Sequence, residues 1–450
     1  METNKLKKNS LGIVETAALS VGIMGPSASI SVIVIMMASL AGYSSPFVLF
    51  FSMLCVGLVS VAVIKLNQHF PSSGSVYHFA EEILGKRAGF ISGWLIVFTY
   101  LALGVSCAAV AASDLQSILA GFGINIHWEL IIFAIAASVW YLAGRDAKVS
   151  TRLLLVLEII SMSILLALSV IIIIKATAAT GLSLAPFTPV GNSSSSIATA
   201  SLFGFLAFAG FEGASSLGEE SKNPKKAIPV AVASAILISG IFYIIVAYAQ
   251  VLGFGLTADG IKALAASDTP LADLASKYLS QGISLIIMLC VSLSFFASAL
   301  GCVSAGARIL FTMGRDGMLS KALHRTHSKH HTPYIGINIM AAVSMLIFAG
   351  CFRLKAINVG RYAATVGILA LLLSYILAVV CAIVFFHRDK ALTGVRLVLM
   401  ILSLLILAAL FFLNIYPVPE YPVNLLIYGI FVWLAVGLLL SMRVKTGLSK

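Results

Sequence analysis

The chain has 450 residues, of which 60% are apolar and only 10% are Asp, Glu, Lys or Arg. An ordinary soluble domain carries about 25% charged residues, so this composition excludes a soluble enzyme and predicts an integral membrane protein embedded in a lipid bilayer. The net charge of +12 would suit nucleic acid, but the placement of the basic residues explains it better. The cysteines form no CxxC pair, and the chain has no Walker loop or HExxH motif, so we predict no metal and no cofactor.

Apolar runs separated by polar breaks predict an all-α protein with twelve transmembrane helices, because a helix needs about 20 mostly apolar residues to cross a bilayer. In chain order, the predicted spans are 11–40, 44–66, 89–119, 128–144, 150–174, 197–217, 228–254, 281–312, 334–351, 357–386, 394–415 and 422–442. Apolar and charged residues alternate in the segment 262–279, which predicts a short amphipathic helix on the outer surface.

The basic residues sort strongly between the two sides of this topology. With a cytoplasmic N-terminus, 23 of the 29 Lys and Arg residues fall in inner segments and 6 in outer ones. Basic residues of membrane proteins concentrate in cytoplasmic loops. If one helix had been missed, every later loop would be assigned to the wrong side of the membrane, and this sorting of basic residues would be lost. The asymmetry therefore supports twelve spans with cytoplasmic N- and C-termini. We expect the protein to lie in the cell membrane, plasma or inner. The excess charge then reflects topology and attraction to anionic lipid, and no nucleic-acid partner is predicted.

The first and the sixth predicted helices are interrupted near mid-span. Helix 1 contains GIMGPS at 22–27, and helix 6 contains GFLAFAGFEG at 204–213. Gly and Pro weaken a helix interior, although either break alone is equally well explained by a kink or by close helix packing. The two helices run in opposite directions across the membrane, which is the arrangement expected of an inverted repeat.

An inverted repeat divides the chain into four parts and predicts where a ligand binds. The parts are a cytoplasmic tail at 1–10, a first five-helix repeat at 11–175, an inverted second repeat at 176–390, and helices 11 and 12 with the C-terminal tail at 391–450. Such repeats place the substrate near the membrane midplane, between discontinuous helices. Half-helix N-termini suit a carboxylate and free carbonyls suit an ammonium group, so a zwitterion matches both.

The segment after the second break resembles a known family signature. The sequence FAGFE at 208–212, followed by EESKNP at 219–224 and Ile228-Pro229, resembles the helix 6–7 signature of the amino acid–polyamine–organocation transporter superfamily. Three other stretches agree with this resemblance. GIMGPS at 22–27 lies where the family breaks helix 1, and PSSGSVY at 71–77 with Gly93-Trp94 resembles its helix 2–3 segment. RILF at 308–311 with Arg315-Asp316-Gly317 resembles its end of helix 8. The resemblance covers helices 1 to 8 well and helices 9 to 12 by pattern. It implies a leucine-transporter-like 5+5 inverted repeat plus two extra helices, and secondary transport of amino acids or related amines.

The resemblance also implies roles for residues at the breaks. In the superfamily, backbone N–H groups at the helix 1 break bind the substrate carboxylate, and carbonyls of both breaks bind its amine. The corresponding donors are Gly25, Ser27 and Ala28, and the corresponding acceptors lie around Ile23, Phe208 and Ala209. Pro26 departs from the commoner Gly-Ser-Gly break and has no N–H to donate. Candidates for side-chain selectivity are Val97, Tyr100, Leu206, Ala207 and Cys302.

The neighbourhood of the breaks predicts a neutral substrate. It contains Met24, Phe208 and Phe211 beside small residues, and Glu212 is its one charged residue. Pockets lined in this way suit mostly apolar ligands with a few polar contacts. We therefore expect a neutral amino acid as substrate, in preference to a dibasic one.

Two carboxylates lie at membrane depth, where an ionisable residue is a functional candidate because it is costly unless paired or protonated. Glu212 adjoins the second break and either carries the coupling proton or permanently caps unwound backbone N–H groups. Glu158, in helix 5, is a second proton candidate, and its alternative is an ordinary interhelical hydrogen bond or a pair with a basic residue such as Arg152. Ser294 and Ser298 on helix 8 are candidate ligands for a coupling sodium ion, although hydroxyls often serve helix packing.

The leading hypothesis is a secondary transporter that takes up an amino acid by proton symport with alternating access. Sodium-coupled or exchange transport of amino acids, polyamines or related amines is the alternative, with the protein acting as a monomer or homodimer. A receptor that binds an amine without moving it, and a channel, are the competing classes. Twelve spans with two opposed broken helices favour transport, since sensing requires neither.

Overall fold

The computed structural model describes residues 5–444, and this part of the chain is helical with no β-strand. The sixteen α-helices within residues 5–444 are α1 Ile13–Met24, α2 Pro26–Ala41, α3 Ser45–His69, α4 Val76–Leu84, α5 Lys86–Gly121, α6 Trp128–Ala143, α7 Ala147–Thr180, α8 Ser194–Leu206, α9 Pro224–Phe254, α10 Ala258–Ala266, α11 Pro270–Tyr278, α12 Gln281–Arg315, α13 Tyr334–Gly350, α14 Ala356–Arg388, α15 Gly394–Leu413 and α16 Val423–Ser441. Short 3₁₀ helices connect some of them, and the longest is Phe211–Leu217.

The helices make this an integral, multi-pass membrane protein. Nine helical segments of residues 5–444 are long and apolar enough to cross a bilayer, and the first of them, Ile13–His69, contains α1, α2 and α3. Two further apolar helices, α6 and α13, are shorter. The all-helical membrane architecture is therefore confirmed, and the count of twelve spans stays a prediction.

Both mid-span interruptions lie where the sequence predicts them. The first falls at Gly25, whose φ of 50° and ψ of 68° are left-handed, and α2 starts immediately afterwards at Pro26. Glycine adopts this conformation without a Cβ penalty, and proline in the first helical turn loses no intrahelical hydrogen bond. The second falls after α8, where Gly210 has a φ of 95° and the chain continues as the 3₁₀ helix Phe211–Leu217.

Two loop regions differ from the sequence prediction. Between the second and third predicted spans, the chain forms the additional helix α4. The prediction of one surface helix over 262–279 is wrong, because Pro270 starts a second helix and the chain forms α10 and α11 instead. Both helices pack against the bundle, with Leu264 and Leu274 buried.

The centre of the bundle brings together helices that are distant in sequence. Helix α5 packs along both α12 and α14, and α1 packs against α7, α9 and α12. The last helix, α16, packs against α5 and α14. Trp94 of α5 stacks on Trp433 of α16 with ring centroids 4.2 Å apart. The Trp94 indole also donates to the Trp433 carbonyl at 3.0 Å, so its N–H is satisfied.

Candidate functional site

The two breaks lie directly against each other in the middle of the bundle. Ile23, in the last turn of α1, packs against three glycines: Gly210, Gly213 and Gly301. A Cβ added at Gly213 would lie only 2.5 Å from Ile23 Cδ1, and one added at Gly301 only 2.7 Å from Ile23 Cγ1. The glycines therefore allow α1 to approach both the second break and α12 at a distance that no larger residue permits.

A serine of α1 ties the same two segments together through hydrogen bonds. Ser20 Oγ donates to the Phe211 carbonyl at 2.7 Å and accepts from the Ala214 N–H at 2.9 Å. Both backbone groups belong to the 3₁₀ helix, so Ser20 satisfies polar groups that a regular α-helix would satisfy internally. The first break and the second are thus joined by packing and by polar contacts.

Glu212 stands at the centre of this arrangement, between three helical segments. Its side chain is fully buried, Tyr100 of α5 donates to Oε1 at 2.8 Å, and Tyr375 of α14 donates to Oε2. No Lys, Arg or His within residues 5–444 forms an ion pair with it. The side-chain partners of this carboxyl group are therefore hydroxyls, and no base neutralises it. Cys302 of α12, also buried, lies near Tyr100 and Glu212.

Glu158 of α7 forms a second buried centre, at the N-terminus of α2. Ser294 Oγ donates to Glu158 Oε1 at 2.6 Å and accepts from the Ala28 N–H at 3.0 Å. The Ser27 N–H faces the same carboxyl group, whose Oε2 has no hydrogen-bond partner in the described chain. Glu158 thus makes an interhelical hydrogen bond, while Arg152 lies 3.5 Å from Glu15 instead.

The other predicted site residues surround these two centres. Phe208 and Phe211 are fully buried; their rings lie 5.1 Å from the ring of Tyr243 and 5.0 Å from that of Tyr375. The Ala207 carbonyl accepts from the Tyr243 hydroxyl at 2.7 Å. Three candidates, Val97, Leu206 and Ala209, are half-buried. Ser298 donates to the Ser294 carbonyl at 3.1 Å, so both predicted sodium ligands already bond to protein groups.

Sequence reasoning missed three contributors to the site: Ser20, Tyr243 and Tyr375. Each is a polar or amphipathic residue inside an otherwise apolar helix. A buried tyrosine hydroxyl normally requires a partner, so a tyrosine within the predicted span 357–386 was a usable signal. What the sequence could not indicate is that Tyr375 and Tyr100, 275 positions apart, meet the same carboxyl group.

One group among the described residues has the composition of a metal site, at the far end of α12. Ligand atoms of His78, Glu81 and Asp316 lie within 4.8 Å of one another. Burial lowers the pKa of His78, which favours its neutral form. Asp316 already accepts from the Tyr77 hydroxyl at 3.1 Å and pairs with Arg315 at 3.1 Å, so protein groups already engage its carboxylate.

A helical membrane bundle with two interrupted helices meeting at buried, oxygen-rich centres is the architecture of a transporter, in which irregular backbone lines a path or a binding site. The comparison with protein families agrees. Residues 11–436 match the family described as amino acid permease, so the chain belongs to this family. The resemblance to the amino acid–polyamine–organocation superfamily is confirmed, and the family is one of transporters and not of enzymes.

Several curated transporters are similar to the chain. It is 28% identical to the branched-chain amino acid permease BcaP of Bacillus subtilis (strain 168) over 296 residues. The matched region covers 62% of this chain and 61% of that protein. It is 24% identical over 363 residues to the permease of the same name from Lactococcus lactis, covering 74% and 76%. It is 28% identical to the methylthioribose transporter of B. subtilis, covering 62% of each. The chain thus spans about three fifths of the length of two of these relatives.

Proposed function

We propose that the protein is a secondary active transporter that takes up an amino acid with a neutral side chain by alternating access. The observation that carries this proposal is the meeting of two opposed, interrupted helices around the buried Glu212. The proposed architecture is the 5+5 inverted repeat, 11–175 and 176–390, with two further helices at 391–450. Twelve spans with cytoplasmic termini in the cell membrane complete the topology that the basic residues favour.

The lining of the breaks supports a neutral ligand. Ile23, Phe208 and Phe211 are buried apolar residues, and their neighbours Ala207 and Gly210 are small. Two of the similar proteins are named as branched-chain amino acid permeases, which agrees with an apolar side-chain pocket. Carbonyls around Ile23 and Ala209 bind the ammonium group in this scheme. Val97, Tyr100, Leu206 and Cys302 shape the pocket for the side chain.

Glu212 is the proposed carrier of the coupling proton. Its tyrosine partners can donate to the ionised carboxylate and remain compatible with the neutral acid, because a hydroxyl both donates and accepts. A dry site disfavours the ionised form, and water that enters on opening favours it. Closure around substrate therefore favours proton uptake, and inward opening favours proton release.

Uptake into proteoliposomes tests transport against the competing classes. A secondary transporter accumulates radiolabelled leucine against its gradient and shows counterflow; a channel only equilibrates it, and a receptor does neither. We expect an inward proton gradient to drive accumulation. We expect Glu212→Gln to retain exchange but to lose this accumulation, because Gln keeps the shape and hydrogen bonding of the neutral acid without releasing a proton.

Sodium coupling is the second candidate, and one observation favours it. Glu158, Ser294 and Ser298 bring a carboxylate and two hydroxyls together beside the first break, and such hard oxygen ligands suit an alkali cation. Glu158 is equally a second proton carrier in the leading scheme. Accumulation that requires sodium, ignores a pH gradient and survives Glu212→Gln would assign coupling to this second centre.

A further inference from the structure

A groove on the side of the bundle runs between α3 and α15. One wall carries three residues of α3 and the other three residues of α15, and these are Leu58, Val61 and Lys65, and Arg396, Leu399 and Ser403. In each set the residues are separated first by three and then by four positions, which places them on one face of an α-helix. The groove is therefore lined by one continuous stripe of side chains from each helix.

The two basic residues lie at the same end of this groove. Lys65 is near the end of α3, and Arg396 is in the first turn of α15. These helix ends meet, because Arg388 at the end of α14 donates to a carbonyl of α4, the helix that follows α3, at 2.7 Å. Two turns along each helix from the bases, about 10 Å, the groove reaches Leu58 and Ser403.

Neither base has an acidic partner in the part of the chain that the structure describes. Lys65 Nζ lies 3.4 Å from the side-chain oxygen of Gln68, and Arg396 donates to the Ala391 carbonyl at 2.7 Å. The Arg396 guanidinium also lies 5.4 Å from the centroid of the Phe386 ring, which lines the groove. No described Asp or Glu lines the groove or pairs with either base. The bases therefore retain N–H donors and positive charge for an anion.

The rest of the groove is apolar and opens toward the bilayer. Val61 and Leu399 are half-buried, and the Ser403 hydroxyl donates to the Leu399 carbonyl at 2.9 Å. Beside the groove, Leu54 of α3 is 54% exposed and Leu402 of α15 is 45% exposed. Exposed apolar side chains on membrane-spanning helices mark a surface that contacts lipid. The groove thus combines a charged end with an apolar floor that continues onto this surface.

We propose that the groove binds an anionic phospholipid. Its phosphate lies between Lys65 and Arg396, and one acyl chain follows the groove toward Leu58 and Ser403. Basic pockets between membrane helices suit anionic headgroups. Two bases without a neighbouring carboxylate favour a headgroup with net negative charge over one that carries its own ammonium group. The bound lipid bridges α3 and α15 and strengthens the attachment of α15 to the bundle.

Lipid binding to the purified protein tests this proposal. The protein in neutral detergent receives phosphatidylglycerol, phosphatidylcholine with the same acyl chains, or glycerol 3-phosphate. Native mass spectrometry measures the affinity for the first bound lipid, and melting temperatures measure stabilisation. We expect phosphatidylglycerol to bind about tenfold or more tightly than phosphatidylcholine, since each base contributes about fivefold. We expect no effect of glycerol 3-phosphate, which lacks an acyl chain. Equal affinity for the two lipids, or displacement of the lipid by glycerol 3-phosphate, overturns the proposal.

The double substitution Lys65→Gln with Arg396→Gln tests the position of the headgroup. It should abolish the preference for phosphatidylglycerol and the stabilisation that this lipid provides. Lys225→Gln with Lys226→Gln on α9 is the matched control, because it removes the same charge at exposed positions and should keep the preference. If the double variant does not fold, Arg396→Gln alone, at an exposed position, should reduce the preference about fivefold. A preference that persists in a folded variant overturns the assignment to this groove.

Val61→Trp tests the position of the acyl chain. It fills the groove and leaves both bases in place, so affinity for phosphatidylglycerol should fall about tenfold. Leu54→Trp, on the exposed surface of the same helix, is the control and should bind normally. If Val61→Trp does not fold, Val61→Phe makes a smaller change in the same direction. Normal lipid binding by a folded Val61 variant overturns the acyl-chain assignment. These assays do not measure transport, so their outcome is independent of the proposed function.

Discussion

Buried carboxylates occur in two regions of the molecule, and their partners differ. At the breaks, Glu212 is held by two tyrosine hydroxyls and Glu158 by a serine hydroxyl. The second region is the end of the bundle that holds the N-terminal segment, here called the basal end. There Glu220 is equally buried, but it pairs with Arg308 through hydrogen bonds of 2.6 and 3.3 Å. A bidentate arginine keeps a carboxylate charged, whereas hydroxyl partners tolerate the loss of that charge.

The basal end is also tied together by the N-terminal segment. The Ser10 and Leu11 N–H groups donate to the Glu220 carbonyl at 2.8 and 3.0 Å, and the Lys222 N–H returns a bond to the Leu11 carbonyl. Two further ion pairs, Lys7 with Asp146 and Arg315 with Glu219, join neighbouring loops at the same end. The comparison teaches that a buried carboxylate is paired with a base where segments are held together, and with hydroxyl groups where the breaks meet.

The largest expected difference is in thermal stability, between the same Glu-to-Gln substitution at the two regions, Glu220→Gln and Glu212→Gln. The first leaves the Arg308 guanidinium buried without a counter-charge, which costs about 3–5 kcal/mol. The second keeps both tyrosine hydrogen bonds and should lower the melting temperature in detergent only slightly. Adding Arg308→Met to Glu220→Gln should recover part of the loss. Equal destabilisation by the two single substitutions would contradict the distinction between the regions.

Gly210→Ala should distort the packing of the two breaks and leave the structure of the basal end unchanged. An L-residue at a φ of 95° is strained by about 1–2 kcal/mol, and the new methyl group would meet Ile23. We expect the initial rate of uptake to fall about tenfold or more. Gly429→Ala on α16, where an added Cβ meets open space, is the control and should transport normally. Normal uptake by Gly210→Ala would show that the approach of the two breaks is not needed.

Tyr100→Phe should have a smaller effect that is confined to the breaks. It removes one of the two hydroxyls on Glu212, and a hydrogen bond to a charged group contributes about 1.5–3 kcal/mol. We expect gradient-driven accumulation to fall more than counterflow, because only the former requires the ionised carboxylate. Tyr428→Phe, at an exposed position of α16, is the control. An equal fall in both assays would indicate damage to substrate binding instead.

The smallest expected effect is that of Lys7→Ala. The pair with Asp146 is half exposed on the lysine side, and such pairs contribute about 0–1 kcal/mol. Burial acts to raise the pKa of Asp146, but hydrogen bonds from Lys7 and from the Lys148 N–H outweigh it, so the pKa is lowered. The contribution of the pair should therefore persist from neutral pH to the ordinary Asp range and disappear only as the pH falls through the lowered pKa. Melting temperatures of both proteins between pH 7 and pH 5 should differ by a small, constant amount; a gap that closes over this range would contradict the assignment.

Local sequence was sufficient for the elements and for the two breaks. Apolar runs long enough to cross a bilayer predicted the helices within a few residues. Gly25-Pro26 and Gly210 marked the interruptions, because glycine adopts the left-handed backbone found there without a Cβ penalty. The signature around Phe208 to Pro229 predicted the family. Glu212 and Glu158 were recognisable as candidates because ionisable groups at membrane depth are rare.

Only the tertiary structure decided what those residues contact. Gly25, Ser27 and Ala28 were predicted as donors to a ligand, yet packing of α7 and α12 against α2 brings Glu158 and Ser294 to the N-terminal turn of α2. Tyr100 and Tyr375 meet Glu212 because α5, α14 and the second break converge. Helical periodicity determines which residues share a face, but the register between helices distant in sequence follows from three-dimensional packing, which the local pattern does not contain.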